Sequence, residues 1–137
     1  MYKHILLAVD GSENSVRAAK EAVKIAAENS LIEMVYVADF EKAKTEVLHA
    51  ASSDSLLLER KRKVAPVEEV LRVAGSNTKL TILHGTPGPK IVKYANEKQV
   101  DLVIIGSRGL NTLQEMVLGS VSHKVMKHVH CPALIVK

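Results

Sequence analysis

DLVIIGSRGLNTLQEMVLGSVS, running from Asp101 to Ser122, is the stretch on which the fold turns. It opens with Leu102-Val103-Ile104-Ile105, apolar at every position. A strand with one solvated face would alternate, so an unbroken run reads as a strand buried on both faces, the usual state in a parallel sheet covered by helices. Gly106 ends the run. From Gly119-Ser120 the period changes: Val121, Val125, Met126 and Val129 recur at helical spacing and predict a helix. Between strand and helix the glycines stand at 106, 109 and 119, a G-x2-G-x9-G spacing followed by a serine. Spacing alone leaves two readings open. The glycines are turn punctuation between a strand and a helix, or they let backbone N–H groups and a helix N-terminus close around an anion.

Working outward, the same strand-then-helix alternation fills the chain. A first strand is expected from Lys3 to Val9, apolar from Ile5, then a turn at Asp10-Gly11-Ser12. The next helix, Ser15 to Glu28, carries Val16, Ala19, Val23, Ala26 and Ala27 on one stripe, with Ser12 or Asn14 as its cap. Strands follow at Leu31–Ala38, Lys79–Leu83 and Asp101–Ile105. A helix from Asp54 to Val73 contains Pro66, which is expected to kink or split it, and Gly75-Ser76-Asn77 stops it. A further helix ends at Lys98 with Thr86 as cap and Pro87 in its first turn. His84 ends the third strand, and Ala133 to Val136 is a last short strand. Phe40 to Ser53 has no clear period. The β-α-β-α-β-α-β-α-β order argues one α/β domain over residues 1–137, an open parallel sheet with helices on both faces.

Composition narrows the function classes. At 137 residues with one cysteine, Cys131, the chain needs no disulfide staple and suits a reducing compartment, most simply the cytoplasm. The first apolar run is too short for a secretory signal, and no stretch approaches the ~18 apolar residues of a membrane span. Net charge is +4. The densest cluster, Arg60-Lys61-Arg62-Lys63, reads as a solvated helix face. Three Tyr, one Phe and no Trp offer little to stack on bases, so neither nucleic acid nor membrane is an expected partner.

In an open parallel sheet a ligand sits beyond the carboxyl ends of the strands, where the strand order reverses. The loops at Asp10-Gly11-Ser12 and from Gly106 onward leave two such ends. If they face each other, Gly106 admits a ligand close to backbone, Gly109 turns N–H groups inward, and Gly119-Ser120-Val121 presents a helix N-terminus to an anion. Arg108 either pairs with a phosphate or points to solvent. Asp10 is suited to ribose hydroxyls or to a divalent metal. No G-x4-G-K-[ST] and no G-x-G-x2-G occurs, so neither common nucleotide loop is present. His123, His128, His130 and Cys131 are zinc-ligand types at a spacing that does not converge, and Cys131 reads as a packed thiol. Asp10, Ser12 and His84 lack the G-x-S-x-G elbow of a hydrolase.

These residues resemble the universal stress protein family. The likeness lies in "ILLAVDGSENS", "MVYVAD", "GTPGPKIVKYANEKQVDLVIIGSRG" and "LGSVSHKVMKHVHCPALIVK", and Gly106, Gly109, Gly119 and Ser120 match the G-x2-G-x9-G-[ST] signature of its ATP-binding branch. The resemblance implies a five-stranded sheet in the order 3-2-1-4-5, like that of the adenine-nucleotide alpha hydrolases, with the switch point between the first and fourth strands. It implies an ATP-binding set of Ala8, Asp10, Val37, Ile105, Gly106, Arg108, Gly109, Gly119, Ser120 and Val121. In that set Asp10 and Gly106 lie at the ribose, the backbone near Val37 at the adenine, and Gly109, Gly119, Ser120 and Val121 around the phosphates. Mg²⁺ or Mn²⁺ would be held through the phosphates, with Asp10 the one protein group in reach. It further implies a homodimer through antiparallel pairing of Ala133–Val136, an apolar edge that needs cover. On this reading the chain is a regulatory stress-response protein that binds ATP. The competing readings are an interaction module of the same fold that binds no nucleotide, and a slow ATPase.

Overall fold

The computed structural model describes residues 2–38, 53–107 and 119–137. Within them nine elements alternate: β1 (His4–Val9), α1 (Glu13–Ile25), β2 (Leu31–Ala38), α2 (Ser53–Val73), β3 (Asn77–His84), α3 (Pro87–Lys98), β4 (Leu102–Gly106), α4 (Ser120–His128) and β5 (Ala133–Val136). The five strands form one all-parallel sheet in the order β3-β2-β1-β4-β5. Both the strand-helix alternation and the strand order agree with the sequence reading.

Side chains of successive strand residues point to opposite faces, and each face has its own core. On one, Ile5, Leu7 and Val9 of β1 pack with Ile32, Met34 and Tyr36 of β2 under α1 and α2. On the other, Leu6 and Ala8 pack with Val35, Val103 and Ile105 under α3 and α4. The connections from β1 to β3 therefore cross one face and those from β3 to β5 cross the other. That reversal falls between β1 and β4.

Several boundaries differ from expectation for local reasons. α1 starts at Glu13, two residues early, because Ser12 caps it by accepting from the Ser15 N–H. It stops at Ile25, since Ala26 is already extended. β3 begins at Asn77 because parallel pairing with Leu31 carries polar Asn77 and Thr78 into an edge strand that apolar patterning does not mark. Pro66 lies inside α2 without splitting it. It is exposed, so the helical bond it omits lies on the solvent side. Gly75 ends α2 with φ +71°, the left-handed conformation that favours glycine. Thr86 occupies the N-cap position of α3, but its side chain makes no capping bond. Of the patternless segment, residues 40–52 lie outside the described residues.

One charged side chain is buried within the sheet. Glu33 of β2 is 1% exposed. It accepts from Thr81 Oγ1 at 2.6 Å and from Tyr94 Oη, and pairs with His4 Nε2 at 2.7 Å. β1, β2, β3 and α3 are thereby tied at one point, far along the strands from their carboxyl ends.

Candidate functional site

The sheet opens where the crossover direction reverses. β1 and β4 are paired only from Ile5↔Leu102 to Leu7↔Ile104, although β1 continues to Val9 and β4 to Gly106. Their last residues, Ala8-Val9 and Ile105-Gly106, therefore part from one another. On the other side of β1, β2 pairs with it as far as Val9↔Tyr36 but runs on with β3 to Ala38↔His84. The end of β2 overhangs β1 by Val37 and Ala38. The result is a parting at the carboxyl edge between β1 and β4, a crevice at the position where open parallel sheets bind ligands.

Four of the expected residues lie on the same side of the sheet. Ala8, Val37, Ile105 and Val121 belong to one apolar cluster, contributed by β1, β2, β4 and the first turn of α4. Gly106, Gly119 and Ser120 stand at the adjoining end of β4 and start of α4. Arg108 and Gly109 lie outside the described residues.

The start of α4 is anchored through Ser107. The Ser107 N–H donates to Val136 O at 2.7 Å, and its carbonyl accepts from the Gly119 N–H at 2.8 Å. Ser122, in the first turn, donates through Oγ to Gly106 O at 2.8 Å and Ser107 O at 3.0 Å. It is 3% exposed. Ser107 and Ser122 thus fix the helix N-terminus at the mouth of the crevice, and sequence reasoning passed over both. The signal was present for Ser122. It is a serine on the same helix face as Val125 and Val129, and a hydroxyl at a core-facing position implies a buried hydrogen bond.

The helix starts differ in what they offer an anion. At α1, Ser12 Oγ accepts from the Ser15 N–H at 3.3 Å. Asp10 Oδ1 accepts from the Ser12 N–H at 2.9 Å and from Ser15 Oγ at 2.7 Å. That terminus therefore carries a side-chain cap. At α3, Pro87 and Pro89 have no N–H to give. At α4 the N-cap is Gly119, which has no side chain to accept from the first turn. The N–H groups of Ser120, Val121 and Ser122 are those an α-helix leaves without an internal partner. The dipole adds partial positive charge at the same point.

Asp10 is half-buried and its Oδ1 is spent on its own turn. Gly11, with φ +87°, carries the chain past α2, and a Cβ there would stand 3.1 Å from Lys63 Cγ. Gly106 has a packing task that its sequence position did not reveal. A Cβ on it would stand 2.6 Å from Asn14 Cβ and 3.2 Å from the Asn14 carbonyl carbon and oxygen. The space beside Gly106 is filled by the first turn of α1, so the close approach it permits is that of a helix. Approach by a ligand at Gly106 would have to be from the side of its backbone groups.

The remaining constellations do not gather into sites. His123, His128 and His130 are exposed. Among the described residues no three His, Cys, Asp or Glu side chains converge to hold a metal ion. Burial pushes the Cys131 thiol above its ordinary range, as expected of a packed cysteine. No helix among the described residues is long and apolar enough to cross a membrane.

Comparison with known proteins agrees with this architecture. The model of the Usp family, described as the universal stress protein family, matches residues 1–137. Universal stress protein MJ0531 of Methanocaldococcus jannaschii is 34% identical, the alignment covering 100% of this chain and 83% of that protein. The solved structure of hypothetical protein MJ0577, of the same organism, is 33% identical with a TM-score of 0.86, covering 100% of this chain and 96% of the other. A more distant structure, the universal stress protein from Archaeoglobus fulgidus in complex with dAMP, is 21% identical with a TM-score of 0.75. That match covers 99% of this chain and 98% of the other, and shows likeness of fold.

Proposed function

The chain belongs to the universal stress protein family, and we propose that it acts there as a regulatory protein that binds ATP in the crevice between β1 and β4. The observation that carries the reading is the parting of β1 from β4 directly beside a helix start with no side-chain cap. An apolar cluster beside helix N–H groups that have no partner among the described residues suits a ligand with an apolar face and an anionic tail. Adenine would lie on Ala8, Val37, Ile105 and Val121, its edge toward the overhanging backbone of Val37. Asp10 retains Oδ2 to accept from ribose hydroxyls. The phosphates would meet the N–H groups of Ser120 and Val121 and the Ser120 hydroxyl, with Gly109 and Arg108 completing the cradle. The dAMP-bound relative of the same fold supports an adenine nucleotide as the ligand class.

The donor set also bears on the metal. The only carboxylate at the crevice among the described residues is Asp10, so Mg²⁺ or Mn²⁺ would be held mainly by the phosphates. When bound, the ion would neutralise phosphate charge. A single carboxylate that spends one oxygen on its own turn is a poor basis for positioning an attacking water, which phosphoryl transfer requires. Binding without appreciable turnover follows. Dimerisation through β5, whose outer edge is unpaired within the described residues, and a cytoplasmic location complete the proposal.

Calorimetric titration of nucleotide-stripped protein with Mg·ATP, alongside AMP and GTP, tests it. The expected result is micromolar ATP binding that Gly119→Val abolishes while the circular dichroism spectrum stays unchanged. Absence of heat with every nucleotide, in folded protein, would overturn the reading in favour of an interaction module.

A further inference from the structure

The net charge of the chain is not spread over its surface. The sequence has 19 Lys and Arg against 15 Asp and Glu. α3 and α4 together hold five lysines and one glutamate, so the remainder of the chain carries 14 of each and is neutral. The two helices pack side by side on one face of the sheet. Lys124 of α4 lies over the first turn of α3, where a Cβ on Gly88 would meet its Cδ at 3.1 Å. At their other ends, Asn96 donates to His128 O and accepts from the His130 N–H. The two helices are therefore neighbours, and Lys93, Lys98, Lys124 and Lys127 are exposed on them. Among the described residues Lys93 alone of these lysines makes an ion pair, with Glu97 at 3.9 Å, both side chains more than half exposed. Lys90, Lys124 and Lys127 make no ion pair among the described residues.

We propose that the outer face of α3 and α4 is a docking surface for an acidic protein segment. The charge favours a polyanion, and like-charge repulsion disfavours a second copy paired through this same face. The choice among polyanions rests on chemistry. The face holds no arginine and no exposed aromatic ring. Tyr94 is turned inward to Glu33, with Lys98 above its ring. Stacking on bases and bidentate readout of phosphates are both missing. What the face does hold is Met126 of α4, 49% exposed and next in the chain to the exposed Lys127. An exposed flexible thioether beside lysine ammonium groups suits an apolar anchor within a charged surface. Complementary charge would then set the rate and specificity of association.

The test uses the intact protein and a labelled peptide of glutamate and leucine residues, read by fluorescence anisotropy at low and near-physiological salt. Wild-type protein is expected to bind the peptide more weakly as salt rises. The double variant Lys93→Glu/Lys127→Glu removes two attractions and adds two repulsions and should weaken binding about tenfold. Lys20→Glu, an equally exposed lysine on α1 of the opposite face, should change it less than about twofold. The proposal is overturned if Lys20→Glu weakens binding as much as the double variant, or if the peptide is not bound at low salt. It is equally overturned if mixed phosphatidylserine–phosphatidylcholine vesicles or duplex DNA bind this face more tightly than the peptide does. ATP titration of the double variant should match wild type, which separates this surface from the crevice.

Discussion

Replacing Gly106 by alanine is the sharpest packing test of the crevice. The new methyl would stand 2.6 Å from Asn14 Cβ and 3.2 Å from the Asn14 carbonyl carbon and oxygen. Carbon atoms in good contact sit about 3.5–4.0 Å apart, so the closest approach is short by roughly 1 Å. Neither side has a flexible tip to move. Asn14 is buried in the first turn of α1, which Ser12 caps. Gly106 is paired with Val136, and its carbonyl accepts from Ser122. Relief must come from shifting α1 away from β4, and overpacking of this kind costs about 1–3 kcal/mol. For a chain of this length that corresponds to a fall in Tm of roughly 3–10 °C. Because Asp10–Ser12 leads directly into α1, the same shift should weaken ATP binding. Urea melts supply the stability change and calorimetry the affinity. Gly75→Ala is the matched control. Nothing lies within 4 Å of its Cβ position and only φ +71° opposes it, so about 1–2 kcal/mol is expected from the left-handed conformation, with ATP affinity unchanged. A Gly106→Ala protein that melts at the wild-type temperature and binds ATP normally would refute the packing argument.

Two other perturbations have worked directions. Ser122→Ala removes a buried donor to Gly106 O and Ser107 O and should cost about 1–3 kcal/mol in urea denaturation; ATP affinity should fall with it, and unchanged affinity would mean that the anchor does not set the helix start. Burial raises the Glu33 carboxyl, but hydrogen bonds from Thr81, Tyr94 and His4 outweigh it and hold the group below its ordinary value of 4.5. A carboxyl depressed in the folded state contributes stability above its unfolded pKa and gives it up as pH falls through the folded value. Glu33→Gln should thus be less stable at neutral pH and lose less further stability below about pH 4.5, read as urea midpoint against pH; parallel curves for variant and wild type would exclude this role.

How much of this was legible beforehand depends on the kind of signal. Leu102–Ile105 and Ile5–Val9 announce buried parallel strands because no polar residue interrupts them. Apolar patterning marks only Lys79–Leu83 of β3, because an edge strand tolerates Asn77 and Thr78 and hydropathy does not report pairing. Ala8, Val37, Ile105 and Val121 fall in one apolar cluster because the strand order brings three strand ends together on the face covered by α3 and α4, an order that the family resemblance implies. What sequence concealed is geometry between distant positions. Gly106 was read as room for a ligand, whereas the room beside it belongs to Asn14. Glu33 drew no attention within LIEMVYVA, since its partners His4, Thr81 and Tyr94 are adjacent only after folding. Ser107 acts through its backbone, which no side-chain pattern can mark.

The central claim is that the phosphates of ATP rest on the uncapped N-terminus of α4 while the base occupies the crevice between β1 and β4. Titrating ¹⁵N-labelled protein with adenosine and with Mg·ATP, and following the amide resonances, tests it most directly. Both ligands should shift Ala8, Val37 and Ile105, and only Mg·ATP should shift Ser120, Val121 and Ser122. Shifts induced by ATP at the start of α1 or α3, with the α4 amides unmoved, would contradict the account.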